Sequence, residues 1–369
     1  MNIKILHINR NYITSPLHQV MMNHLDRLNI DNSVFAPTDG IEKALIVPNG
    51  NVFVSKCFSK WDRYIFDLKQ TKIFSAIEHR YDISNFDCIH AYTLFTDGNC
   101  AMKLSEKYVK PYIVAVRNTD VNDFFKKIPF LRARGVKIME RASAICFLSK
   151  SYREAVLSQF VPRKKRELIR SKSYVIPNGI DDFWLENVNH KSYGLHEPLR
   201  LIYAGRIDRN KNIESIVDAI KELEIRGVEA NLTVVGKVYD ENIFRRIINC
   251  GYVQYHKPVS KESLIGFYRK CDIFVMPSFT ESFGLVYAEA MSQGLPVIYT
   301  KGEGFDNQFP EGTVGYHVDP NDYKNIASKI IECIKNYDEM AATASKNAMK
   351  FNWENIVGQY QNIYEEIRR

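Results

Sequence analysis

Cysteine is sparse and shows no pairing pattern. Seven are scattered at positions 57, 88, 100, 146, 250, 271 and 333, with no Cys-x-x-Cys spacing. An odd count, mostly inside apolar runs, excludes a disulfide frame and a zinc knuckle, and leaves reduced, buried thiols of a cytosolic protein as the expectation. Long apolar runs are missing as well. No stretch of about 18 apolar residues occurs, so no membrane-spanning helix is expected. The chain opens directly on a strand pattern, Ile3 to Ile8, without the charged and apolar regions of a signal peptide. No Gly-x-Gly-x-x-Gly follows Ile8, which disfavours a nicotinamide-dinucleotide enzyme. No His, Cys, Asp or Glu cluster has metal-site spacing, and Asp181-Asp182 reads as helix capping in a hinge.

What is there is an ordinary globular composition, 45% apolar and 25% charged over 369 residues. That length suits two domains, each with its own core. Residues 1–180 hold 28 Lys and Arg against 16 Asp and Glu, whereas residues 181–369 hold 22 against 27. A basic first half suggests an anionic partner. Short apolar runs alternate with amphipathic stretches. In the first half strands are predicted at Ile3–Ile8, Asn32–Ala36, Cys88–Ala91, Tyr112–Val116, Ala144–Leu148 and Tyr174–Ile176. Helices are predicted at Leu17–Leu28, Asn99–Tyr108, Phe130–Glu140 and Ser151–Phe160. The second half repeats the alternation, from Leu199–Ala204 onward. This pattern predicts an α/β protein of two Rossmann-like parallel-sheet domains facing a deep cleft, with chemistry at the strand ends. The turn Pro177-Asn178-Gly179 marks the boundary. The domains are accordingly 1–178 and 179–350, with 351–369 as a terminal helix, apolar at 353, 356, 357, 360, 363, 364 and 367.

Two strand-to-helix loops of the second half carry suitable chemistry. In the first, Gly205 lets the backbone turn, and Arg206 and Lys211 supply two cations fit for a diphosphate. In the second, Glu281 ends a strand and Gly284 precedes a helix whose free amides, Phe283 to Val286, favour an anion. Glu289, a turn inside, could accept from a ribose diol.

On these residues the chain resembles the retaining glycosyltransferase family 4, of GT-B fold. The resemblance lies in Glu281 and Glu289 separated by seven residues, in Gly205-Arg206 followed by Lys211, in the tract Cys271 to Ser278, in Gly294-Leu-Pro-Val297 and in Ile176 to Asp181. It implies that Arg206 and Lys211 neutralise the donor diphosphate and that Glu281 contacts the transferred sugar. It implies that Glu289 holds the ribose, that Gly205, Ser282, Phe283, Gly284 and Leu285 line the phosphate and sugar, and that Val253 to Tyr255 lie along the base. The terminal helix would cross back to the first domain. The resemblance further implies a hexose donor linked to UDP or GDP, no metal or other cofactor, and a lipid-linked or glycan acceptor bound by the first domain. The setting would be bacterial capsule, O-antigen or exopolysaccharide synthesis.

The first domain departs from the family pattern. The usual glycine pair after the first strand is replaced by Arg10 to Pro16. Asn118 stands where some members have a histidine facing the sugar, and an amide is not a base at neutral pH. Asp120 or Asp123 could substitute, or no side-chain base is needed. His90 matches a family histidine at a strand end, where a structural role is equally expected. Lys237 is either a phosphate contact or a solvated side chain. The basic, aromatic stretch Phe124 to Arg134 and the run Arg163 to Arg166 suit contact with an anionic membrane from the cytoplasmic side, or simply a helix packed on its own core. Nucleic acid is disfavoured, because no recognition motif accompanies the charge. The rival functions are a nucleotide-sugar epimerase, a phosphorylase, or a non-catalytic nucleotide-sugar binding protein.

Overall fold

The structure, a computed structural model, describes residues 2–40, 51–190 and 194–368. It divides into two compact units. The first comprises residues 1–148, 152–179 and 353–369, and the second residues 149–151 and 180–352.

The first unit is built on seven parallel strands: β1 (Ile3–Ile8), β2 (Ile30–Thr38), β3 (Val52–Lys56), β4 (Cys88–Ala91), β5 (Tyr112–Val116), β6 (Ala144–Phe147) and β7 (Ser173–Val175). Their order is β3-β2-β1-β4-β5-β6-β7. The inner strands are apolar on both faces because helices cover both. Along β5, Tyr112, Val114 and Val116 enter one core while Ile113 and Ala115 enter the other. The helix Trp353–Arg368 closes the second core. Its buried residues, Trp353, Ile356, Val357, Tyr360, Ile363 and Tyr364, are the stripe expected from the sequence. Gly179 packs flat against Trp353, so a Cβ there would stand 2.4 Å from the indole.

The second unit has six parallel strands: β8 (Leu199–Ala204), β9 (Ala230–Val235), β10 (Val253–His256), β11 (Ile273–Val275), β12 (Val297–Thr300) and β13 (Gly315–Val318). Their order is β10-β9-β8-β11-β12-β13. β8 and β11 are therefore adjacent, and the loops that leave them emerge side by side at the carboxyl edge of the sheet, where this class of fold binds ligands. No described helix is long and apolar enough to cross a membrane.

Candidate active site

The loop after β8 is fixed by its backbone. The amide of Gly205 bonds Val235 O (2.9 Å), that of Gly236 bonds His256 O (3.0 Å) and that of Ile207 bonds Lys237 O (2.9 Å), so the sheet ladder runs on past the strands. The close approach of the two loops falls on Gly236. A Cβ on Gly236 would lie 1.7 Å from Gly205 O, whereas one on Gly205 would meet nothing nearer than the Tyr203 hydroxyl at 3.2 Å. Asp208 caps the short turn Arg209–Lys211 by accepting from Lys211 N at 3.0 Å, and its other oxygen holds Arg206 Nε at 3.2 Å. Arg206 is more than half exposed and lies 5.6 Å over the ring of Tyr239. Lys237 lies 5.2 Å from the same ring.

Asn210 ties this loop to the one after β11. Its Nδ2 donates to Thr280 O (2.9 Å), its Oδ1 accepts from Thr280 N (3.1 Å), and its O accepts from Phe279 N (2.8 Å). Lys211 and Glu281 are thereby brought into a direct, largely buried ion pair. The second oxygen of Glu281 accepts from Ser282 N at 3.1 Å. A third loop, after β12, supports both. Glu303 accepts from Glu281 N at 2.7 Å, and Gly304 N donates to Glu281 O at 2.9 Å. Gly304 must be glycine, since a Cβ would come within 1.9 Å of Ser282 O.

The helix Leu285–Ser292 starts at Gly284, whose φ of +75° and Cβ distance of 2.4 Å to the Tyr287 ring admit only glycine. Tyr287 donates to Met276 O at 2.6 Å and pins the helix to its strand. Among the described residues, the amides of Phe283, Gly284, Leu285 and Val286 have no acceptor. Four such donors at a helix start make an anion seat. Glu289 sits one turn inside, half-buried. Burial and the neighbouring Asp181 push its carboxyl up to about 7, against the pull of Lys261. Asp181 itself caps the turn after it, accepting from Phe183 N at 3.0 Å, and pairs with Lys261 at 2.7 Å.

On the expected base side, Val253 is buried within β10, and the Tyr255 hydroxyl donates to Gly236 O at 3.0 Å and braces the glycine loop. The first-unit candidates are corrected. His90 is wholly buried, shares a 2.7 Å hydrogen bond with Tyr364 and stacks on Tyr92 at 4.3 Å. Burial holds its pKa well below the usual value, so it is a neutral docking residue for the terminal helix rather than a sugar contact. Asp120 is buried and accepts from the amides of Leu94, Phe95 and Arg117 at 3.0, 3.2 and 2.8 Å. It stitches the loops after β4 and β5, although burial still raises its carboxyl to about 6. Asp123 pairs with Lys127 at 2.6 Å. Asn118 is half-buried and accepts from Asn122 at 2.7 Å.

Sequence reasoning missed Asn210, Tyr239, Glu303 and Gly304. The pattern Gly302-Glu303-Gly304 just after a strand was the available signal. It also missed Asp97, a buried carboxyl that burial raises to about 7 against the pull of Thr93 and Arg10.

The profile of glycosyl transferases group 1 matches residues 186–351, and that of Glycosyltransferase Family 4 matches residues 20–182. The chain belongs to glycosyltransferase family 4. The enzyme is 26% identical over 304 residues to a D-inositol 3-phosphate glycosyltransferase of Paenarthrobacter aurescens, covering 76% of this chain and 73% of that one. It is 26% identical over 291 residues to the capsular polysaccharide biosynthesis glycosyltransferase CapM of Staphylococcus aureus, covering 73% and 74%. HepE of Anabaena, solved in complex with UDP and glucose, superposes with a TM-score of 0.67 over 99% of this chain and 100% of its own, at 17% identity.

Proposed function

We propose that the enzyme moves a hexose from a UDP- or GDP-linked sugar to a lipid-linked or glycan acceptor, with retention of anomeric configuration, in the assembly of a bacterial surface polysaccharide. The observation that carries this reading is the convergence of Arg206, the Lys211–Glu281 pair and the amides of Phe283 to Val286 at one sheet edge of the second unit. Negative charge grows on the departing diphosphate, and fixed cations and amides aimed at it stabilise the transition state without reorganising. Arg206 and Lys211 take the part a metal would otherwise play, so turnover persists in EDTA. Glu281, released from Lys211 as the phosphates engage it, reads a sugar hydroxyl, and Glu289 the ribose.

The acceptor belongs to the first unit, near Asn118. His90 and Asp120 are committed to the fold, and Asn118 is not a base. The departing phosphate therefore takes the acceptor proton on the same face of the sugar, consistent with retention. The enzyme works at the cytoplasmic side of a membrane, which its basic first unit approaches. CapM favours a surface-glycan acceptor, and the inositol-phosphate relative favours a soluble phosphorylated cyclitol as a second reading.

The test pairs UDP- and GDP-hexoses with either polyprenyl-linked glycan or D-inositol 3-phosphate, reading product anomer by NMR. A saturating donor, at 100 times its Kd, stabilises the protein by about 2.7 kcal/mol. Nucleotide release that needs no acceptor points to an epimerase and defeats the transfer reading. A donor-induced thermal shift without turnover on any acceptor leaves only a binding protein.

A further inference from the structure

The segment Trp61 to Arg80 packs Ile73 and Ile77 into the core, yet its first turns leave large apolar side chains in water. It is a short turn, Trp61–Tyr64, followed by the helix Phe66–Arg80. Its inward side buries polar groups: Asp62 is 5% exposed, Lys69 7% and Gln70 0%. Its outward side carries Trp61, Tyr64, Ile65 and Leu68, at spacings of three and four residues, exposed by 77, 79, 57 and 42%. Four large apolar side chains exposed within eight residues, beside a carboxylate, an ammonium and an amide that are buried, indicate that this surface faces something apolar.

The neighbourhood identifies the partner's charge. Phe66 meets Phe124 with ring centroids 6.3 Å apart, and Arg134 pairs with Asp67 and lies 5.6 Å over Phe66. The stripe therefore adjoins the Phe124 to Arg134 stretch, where Phe130 is 80% exposed and Lys126 and Lys127 are exposed. Residues 60–69 and 122–134 together hold seven Lys and Arg against three Asp. On the other flank, Lys56, Lys60, Lys72 and His79 line an open cavity of about 910 Å³ whose wall includes Trp61. Apolar wedges ringed by cations, with Trp and Tyr foremost, match the headgroup layer of an anionic bilayer. A second copy of the chain fits poorly, because a two-fold contact through this patch would set its cations against the same cations.

We propose that the first unit seats on anionic lipid by inserting Trp61, Tyr64, Ile65 and Leu68 into the headgroup layer, with Phe130 as a second wedge and the surrounding lysines on lipid phosphates. This rests on the membrane-side reading given above and names the surface and the mode of contact. The cationic stretch alone would predict adsorption; the stripe predicts penetration.

The molecule contains its own reporter. Of its three tryptophans, Trp184 and Trp353 are each 2% exposed, so a change in polarity around tryptophan reports Trp61. The intact enzyme is mixed with phosphatidylcholine vesicles, with or without phosphatidylglycerol, and followed by flotation and tryptophan emission. The expected result is flotation with the anionic vesicles only, accompanied by a blue shift that Trp61→Phe abolishes. Ile65→Ser with Leu68→Ser lowers the vesicle-bound fraction at least tenfold while leaving the melting temperature and the circular dichroism spectrum intact, which shows the variant is folded. Flotation with unmoved emission overturns insertion through this stripe but leaves the membrane-side reading standing. Absence of flotation overturns both. A blue shift that grows with protein concentration in the absence of lipid assigns the stripe to a second copy and overturns the proposal.

Discussion

The carboxyl edges of the two sheets hold similar kinds of residue and use them in opposite ways. In the second unit the polar groups remain presented: Arg206 is over half exposed, Lys211 and Glu281 hold each other, and four helix amides have no acceptor among the described residues. In the first unit the corresponding groups are consumed. Asp120 is saturated by three amides, His90 is held through Nδ1 by Tyr364, and Asp97 is sealed away from solvent. One edge is a prepared receptor for an anion, and the other spends its polarity on holding loops and the terminal helix in place. The same residue type at the same topological position therefore says little about function until its hydrogen bonds have been counted.

The contrast is broken most severely at Arg206 and Lys211. Alanine at either removes a fixed charge aimed at the leaving diphosphate, and kcat should fall about 10²–10³-fold. Steady-state kinetics with a saturating acceptor check this; an unchanged kcat for Arg206→Ala sinks its assignment. By contrast His90→Gln should alter stability with little effect on donor KM, measured on the same preparation. Next comes Gly236→Ala. Its Cβ cannot coexist with Gly205 O, and forcing the two loops apart should cost about 3 kcal/mol in a urea titration, with donor binding weakened in step.

Asp97 gives a smaller, pH-dependent effect. Its folded-state carboxyl is raised to about 7 from 3.8, so its stabilising contribution is full below about pH 4 and is lost as pH climbs through 7. Asp97→Asn should therefore be more stable than the wild type at pH 8, on the order of 2 kcal/mol, and the difference should vanish near pH 4. Paired melts at the two pH values decide it; equal destabilisation at both would show that Asp97 is ionised and satisfied. The smallest effect is at Tyr239. If its ring steadies Arg206 and Lys237, Tyr239→Leu loses about 0.5–1 kcal/mol of cation–π attraction, a two- to fivefold rise in donor KM at constant kcat.

The sequence was most legible where local pattern and global fold agree. Cys88–Ala91, Tyr112–Val116 and Leu199–Ala204 are strands at the expected residues, because buried parallel strands read as unbroken apolar runs. The loops after β8 and β11 were legible for a related reason: Gly284, Glu281 and Lys211 are required by local geometry and charge at fixed spacing. What was missed lacks such a signature. β3 is an edge strand, half-exposed along its length, and does not alternate cleanly. The helix Phe66–Arg80 was hard to see because Lys69 and Gln70 interrupt the buried stripe of Ile73 and Ile77 while Leu68 faces outward, which blurs its apolar period. Asn210, through its side-chain amide, and Gly304, through its backbone, join loops distant in sequence, which spacing alone does not encode.

The terminal helix has a consequence for how the chain is made. The first unit is not finished when its last strand, β7, is synthesised, because six buried side chains of its second core arrive only with residues 353–364. The second unit lies between and is complete in itself from residue 180 to 352 apart from a three-residue contribution. On the ribosome the later unit can therefore close before the earlier one, which must wait with an apolar sheet face open. An enzyme truncated before Trp353 would emerge with a folded second unit attached to a sticky, unfinished partner, so nascent chains stalled in that window are where a chaperone has most to do.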